Sequence, residues 1–322
     1  MVCPATDAQN NGNWRTAERW KNLLSKKLDV SIHLEVDRAT LAAADLMIAL
    51  HARRSAFAIQ NWRQLTPNKP LIVVLTGTDL YRDIHDNSDA QKSLALADRL
   101  VVLQELGITS LPKEYQAKTR CIFQSTRAWK PAIKSHKKLR VLMVGHLREE
   151  KSPQTFLDAA RGMVEHKDIQ FDLIGSVLDT SLLEKAQSLN SCAANFHYLG
   201  ALPHPQTRRR IRDAHLLIHP SKMEGGAHVI MEAMCSGTPV LASNIAGNQG
   251  MLGQDYQGYF DWGPVDQLMN LIMRCRKTQS HELQADRFLT QLTRQCDARA
   301  NLFSPEHEQH SLMELLNELL PA

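Results

Sequence analysis

Short apolar runs alternate with amphipathic stretches along this chain. Runs at 45–50, 71–75, 99–103, 140–145, 171–175, 216–219 and 239–243 read as strands. They are compact, bounded by polar or turn-forming residues, and apolar enough to be buried on both faces. Between them lie helical patterns. Positions 16–28 set Ala17, Trp20 and Leu24 on one face, and Ser152 precedes a helix with Pro153 at its first position and Phe156, Ala160 and Met163 inward. Strand–helix–strand alternation of this kind predicts parallel sheets with helices on both faces.

The alternation pauses at 125–138, "STRAWKPAIKSHKK", which is basic, proline-containing and weakly periodic, and it restarts at "LRVLMVG". This predicts one α/β domain over 1–130, a second α/β domain over 131–303, and a terminal helix over 304–322 crossing back to the first. That helix opens at Ser304-Pro305 and carries Leu312, Leu315, Leu316 and Leu319 in one stripe. Only Met1–Cys3 are available for a strand ahead of "PATDAQNNGN", so that strand is short or the chain begins late.

Composition narrows the class. The 322 residues carry a formal charge of +4, with 43% hydrophobic and 22% charged residues. That is ordinary for a globular protein, and it lacks the dense basic stripe of a nucleic-acid binder. Six cysteines without a CxxC pair read as reduced thiols in a cytoplasmic protein. Neither a membrane-spanning apolar run nor a signal peptide is expected.

In open parallel sheets, ligands bind beyond the carboxyl ends of strands. The informative segments are therefore "HARRS" (51–55), "TGTD" (76–79), "HLREEK" (146–151), "PSKMEGG" (220–226) and "NIAGNQG" (244–250). Two such crevices facing each other would form one cleft. A helix beginning near Gly226 would offer its first N–H groups to an anion, and Gly225 and Gly226 would let a phosphate approach the backbone. Lys151 and Arg148 would add charge to a diphosphate, and Gly247 backbone N–H groups. Glu224 would accept from sugar hydroxyls. Glu232, two turns in and roughly 10 Å along the axis, would meet a second diol.

Glu224, Glu232 and the following "AMCSGTPVLAS", with the upstream "FHYLGALPHPQTRRRIRDAHLLIHPSKMEGG" and the loop "VGHLREEK", resemble the donor-binding motif of GT-B retaining glycosyltransferases. The resemblance implies two Rossmann-like domains with parallel sheets facing a central cleft. It also implies a sugar contact for Glu224, ribose for Glu232, diphosphate for Lys151, and a uracil pocket near Gly200 and Leu202. Gly145 and Ala227 belong to the same donor set. His146 stands where the family commonly has arginine, and Arg148 is the nearest replacement.

The strings "NNGNWRTAERW", "ALHARRSAFAI", "LTGTDLYRDI", "LADRLVVLQ", "GHLREEKSP", "MEGGAHVI" and "LGQDYQGYF" are further similar to the selenosugar synthases of selenoneine biosynthesis. Such enzymes join selenophosphate to a UDP-sugar, usually UDP-N-acetylglucosamine, which implies coupling to a selenophosphate-producing enzyme. A small anionic acceptor needs cations in the first domain. Arg15, Arg53 and Arg54 are placed to supply them, with Asn11, Gly12, Asn13, His51, Thr76, Gly77 and Thr78 completing the acceptor set.

Other readings are weaker or remain open. Asp79 is a general base or, more simply, a helix cap; with Glu224, Lys151 and Arg148 it makes the candidate catalytic set. "RRRIR" (208–212) reads as an exposed helix face. No metal is expected: Asp-x-Asp is missing, and His215 and His219 would stand about 13 Å apart along a strand. No resident cofactor is expected either, with the UDP-sugar as co-substrate. An ordinary oxygen acceptor, a UDP-sugar epimerase and a silent nucleotide-sugar sensor are the alternatives.

Overall fold

The computed structural model describes residues 1–6, 12–279 and 287–320. In chain order the elements are α1 (Gly12–Leu24), α2 (Arg38–Ala43), β1 (Met47–Leu50), α3 (Ala56–Leu65), β2 (Leu71–Leu75), a π-helical turn (Asp79–Asp83), α4 (Ile84–Asp86), α5 (Ser88–Leu96), β3 (Arg99–Val102), α6 (Lys113–Gln116) and β4 (Thr119–Cys121). There follow β5 (Leu139–Val144), α7 (Pro153–Gly162), β6 (Ile169–Ile174), α8 (Thr180–Cys192), β7 (Phe196–Tyr198), α9 (His204–Asp213) and β8 (Leu216–His219). The chain ends with α10 (His228–Met234), β9 (Val240–Ser243), α11 (Ala246–Leu252), β10 (Tyr259–Phe260), α12 (Val265–Thr278), α13 (Phe288–Ala300) and α14 (Pro305–Asn317).

The chain forms two compact units. One comprises residues 1–125, 224–228 and 302–322, and the other comprises 126–223 and 229–301.

The first unit holds a parallel sheet in the order β1-β2-β3-β4. Val2 bridges both Ala49 and His33, so the N-terminus extends the β1 edge by one short pairing. Alternation along the strands sorts the core into two layers. Met47, Ala49, Leu71, Val73, Leu75, Leu100 and Val102 face Ile59, Trp62 and Leu94 of α3 and α5. Ile48, Leu50, Ile72, Val74, Val101 and Leu103 face Ala17, Trp20 and Leu24 of α1 and Leu312, Leu315 and Leu316 of α14. The terminal leucine stripe thus seals one face of this sheet.

The second unit holds a six-stranded parallel sheet, β10-β9-β8-β5-β6-β7. The chain runs outward from β5 through β6 to β7, then returns to β8 on the other side of β5. That reversal leaves a crevice at the carboxyl ends of β5 and β8, where open α/β sheets bind ligands.

Three local expectations need correction. The first helix covers 12–24 rather than 16–28. Ser152 occupies the cap position of α7 without capping through its side chain, because its backbone is left-handed at φ 46. Arg208 of the "RRRIR" run is buried rather than exposed.

Candidate donor and acceptor sites

In the second unit three strand ends run on as parallel backbone. Gly145 N–H donates to Ile174 O at 2.9 Å, Gly175 N–H to Gly200 O at 2.9 Å, and Leu147 N–H to Ser176 O at 2.8 Å. Gly175 is obligatory here, since a Cβ on it would lie 1.9 Å from Gly145 O. Gly200 has φ +67 and open space around its missing Cβ. The loop leaving β5 turns through a 3-10 segment, Glu149–Lys151. It carries the Lys151 methylenes over Gly145, 3.7 Å from where a Cβ would sit. Arg148 is half-exposed, and its Nε lies 3.9 Å from Glu150 without a hydrogen-bond partner. Partial desolvation first, then the charges of Arg148 and Lys151, hold the His146 imidazole below its ordinary pKa, so it is neutral at pH 7.

Glu232 sits on α10 and is nearly buried; its Oε1 meets His204 Nε2 at 2.6 Å and lies 3.9 Å from Arg208 Nη1. Arg208 donates to the Arg127 carbonyl at 2.8 Å and to Thr126 Oγ1, and its guanidinium lies 4.9 Å from the Trp129 ring centre. Sequence reading missed His204 and the role of Arg208. The signal available was the position of His204 at the first turn of α9, directly after Leu202 and Pro203. The Leu202 carbonyl accepts from Thr207 Oγ1 at 3.3 Å. Gly247 lies buried in α11. Asn248 beside it donates to Ser243 O at 2.9 Å, and Ser243 Oγ donates to Ser221 O at 2.5 Å.

The expected geometry around the two glutamates changes. The helix begins at His228, not near Gly226. Glu232 is therefore about one turn in, roughly 6 Å along the axis. Glu224 and the diglycine group with the first unit, whereas Glu232 belongs to the second. A Cβ on Gly225 would fall 2.4 Å from Thr76 O, and one on Gly226 2.8 Å from Leu103 Cβ. Both glycines are thus required by close packing against the ends of β2 and β3. Ala227 beside them is buried. Glu224 is nearly buried too, and its carboxylate lies close enough to Tyr81 to act on it. Burial first, with Glu224 adding to it, pushes the Tyr81 phenol up to about 12 against hydrogen bonds with Ser110 and Gln104. Tyr81 is therefore a neutral hydroxyl beside Glu224, which sequence reading did not single out.

The other first-unit candidates gather beyond β1 and β2. His51 adopts φ 72, a left-handed conformation uncommon for a side-chain-bearing residue. Its Nδ1 accepts Arg54 N–H at 3.4 Å, so Nε2 carries the proton and donates to Thr78 Oγ1 at 3.2 Å. Burial first, with Arg54 and Arg53 adding to it, holds His51 below its ordinary pKa against the pull of Asp79 and Asp83.

Asp79 is fully buried. It accepts from Thr76 N–H and Gly77 N–H at 2.9 Å each and from Ala52 N–H at 2.9 Å. Both oxygens thus brace the two post-strand turns. Arg53 pairs with Asp83 at 2.7 Å and Arg15 lies 3.6 Å from Glu18, while Arg54 is exposed. Burial alone would raise Asp83, but Arg53 and Arg82 outweigh it and hold it below the usual carboxylate range. Gly12 opens α1 and Asn13 is buried one residue on. Asn11 lies outside the described residues.

Among the described residues, no group of three or more His, Cys, Asp or Glu side chains is arranged to hold a metal ion. No helix among them is long and apolar enough to cross a membrane.

Solved structures with this architecture are GT-B glycosyltransferases. HepE from Anabaena, solved with UDP, superposes with TM-score 0.71 at 17% identity, covering 93% of this chain and 89% of HepE. Sucrose-phosphate synthase from Thermosynechococcus elongatus gives TM-score 0.71 at 18% identity over 95% and 77%. A TarM variant from S. aureus, solved with fondaparinux, alpha-GlcNAc-glycerol and UDP, gives 0.67 at 14% over 84% of this chain and 55% of TarM. The chain thus spans little more than half of TarM. The model of the glycosyl transferases group 1 family matches residues 125–285. The chain belongs to that family.

Proposed function

We propose that the protein is a UDP-sugar-dependent glycosyltransferase that joins selenophosphate to the anomeric carbon of UDP-N-acetylglucosamine. Selenium attacks C1 while the bond from C1 to the β-phosphate oxygen breaks, and UDP leaves with that electron pair. Later hydrolysis of the P–Se bond yields the selenosugar. The observation that carries the donor half is the second unit's loop: Lys151 lies over Gly145 at the β5 end, with Arg148 Nε making no hydrogen bond. Glu232 stands on the helix that follows β8. Lys151 and Arg148 meet the charge on the departing diphosphate, and Glu232 takes the ribose diol. HepE and TarM, with UDP in their solved complexes, support the same choice of nucleotide. The selenium half is supported by the residue strings shared with selenosugar synthases and by the cationic Arg54.

A second reading, an oxygen acceptor, is favoured by one observation: Arg53 and Arg15 already face carboxylates, so less free positive charge remains than the sequence promises. A UDP-release assay separates the two. With UDP-N-acetylglucosamine, release that requires selenophosphate supports the first reading, and equal release with glycerol supports the second. Neither acceptor releasing UDP overturns both. Glu232→Ala is expected to weaken UDP binding about 10- to 100-fold, the loss of charge-assisted hydrogen bonds to a diol.

A further inference from the structure

Ser152 is a serine where the backbone favours glycine. It is left-handed at φ 46 and ψ 49, directly after Lys151, a conformation in which a Cβ crowds the neighbouring carbonyl. A residue kept there against that cost has work for its side chain. The Ser152 Oγ accepts a hydrogen bond from the Trp262 indole N–H at 2.9 Å. Trp262 comes from the turn after β10, 110 residues away in sequence, and its side chain is 47% exposed. It therefore adds little to the core. Its polar edge holds one end of the 149–152 turn, and its ring face holds the other indirectly. The Lys222 ammonium lies 4.6 Å from the ring centre and pairs with Glu149 Oε1 at 2.7 Å. Lys222 N–H also donates to Glu150 O at 2.9 Å. Two distant segments thus grip the turn on both sides of Lys151.

We propose that Trp262 is a positioning residue for donor binding: through Ser152 and Lys222 it fixes the turn that presents Lys151 to the donor diphosphate. The inference rests on the donor reading above. It acts on affinity through preorganisation, since a turn already held in the bound shape has less ordering cost on binding.

The test uses the full chain and UDP as the probe. Ser152→Gly fits the left-handed backbone without strain and removes the hydroxyl together with its methylene. It is expected to leave the melting temperature unchanged or higher, yet to weaken UDP binding by about three- to tenfold, the scale of one hydrogen bond. Trp262→Phe keeps a ring for Lys222 and loses the N–H, and a similar loss is expected. The double variant is expected to be no weaker than either single, because both remove the same bond. KM for the UDP-sugar rises in these variants more than kcat falls. Wild-type affinity in Ser152→Gly or Trp262→Phe, or fully additive losses in the double, overturns the positioning role while leaving the donor reading intact. Failure of the unaltered protein to bind UDP overturns the donor reading itself.

Discussion

His215 occupies a socket that suits only a neutral imidazole. Its Nδ1 accepts Arg140 N–H at 3.0 Å and its Nε2–H donates to Ser135 O at 2.9 Å, so a second proton would oppose a backbone N–H. Burial first, with Arg140 and Lys134 adding to it, lowers the pKa from 6.5 to about 4. The unfolded chain binds a proton there that the folded chain refuses, so stability falls as pH drops through that window. From this group alone we expect a loss of about 3 kcal/mol between pH 7 and pH 4, read as urea midpoints. His215→Gln should flatten that slope, and an unchanged slope would refute the assignment. Asp79 gives a second prediction at this scale. Asp79→Ala leaves three backbone N–H groups without their acceptor and should cost about 3 kcal/mol or more in urea unfolding. Unaltered stability with lost turnover would restore it as a catalytic base.

At the scale of elements, strands were the most legible feature, because β2 is an unbroken apolar run and β8 is apolar up to His219, and they coincide with 71–75 and 216–219. The strands that were not read, β4, β7 and β10, have two or three residues each. They carry no apolar run to see, and sheet pairing alone defines them. Ser304 does cap α14, accepting from His307 N–H at 3.2 Å, whereas Ser152 looked equally like a cap and is not one. The difference lies in a left-handed backbone that sequence does not display.

Sequence periodicity showed the leucines of α14 but not its acid. Glu308 is fully buried, accepting from Trp20 Nε1 at 2.7 Å, Ser125 N–H at 2.8 Å and Arg19 Nε at 2.8 Å. Glu308→Ala strands a partly buried arginine and a buried indole, so a loss of about 3 kcal/mol is expected in thermal or urea unfolding. A loss below 1 kcal/mol would show that the helix is held by its leucines alone. Gly175→Ala is expected to abolish UDP binding, because its Cβ and Gly145 O would overlap; retained affinity would contradict the tight strand-end packing.

For the whole molecule, the alternating pattern indicated a parallel α/β fold. Family membership over residues 125–285 and the GT-B neighbours agree with it. The loop proposed for the donor was singled out for a physical reason: it lies where a chain reversal in the sheet opens a crevice, and its charged residues follow a strand. The proposed acceptor side was less legible. Which arginine is free depends on Asp83 and Glu18, partners that spacing does not reveal. Arg54→Ala should therefore impair acceptor use more than Arg53→Ala, with UDP affinity kept in both; steady-state kinetics in the acceptor give the comparison.

The most direct test of the central claim is mass spectrometry of the purified protein incubated anaerobically with UDP-N-acetylglucosamine, with and without selenophosphate. The account predicts a sugar product bearing the selenium isotope pattern, formed in step with UDP and only when both reactants are present. Donor left intact in both incubations, or isomerised without UDP release, would contradict it.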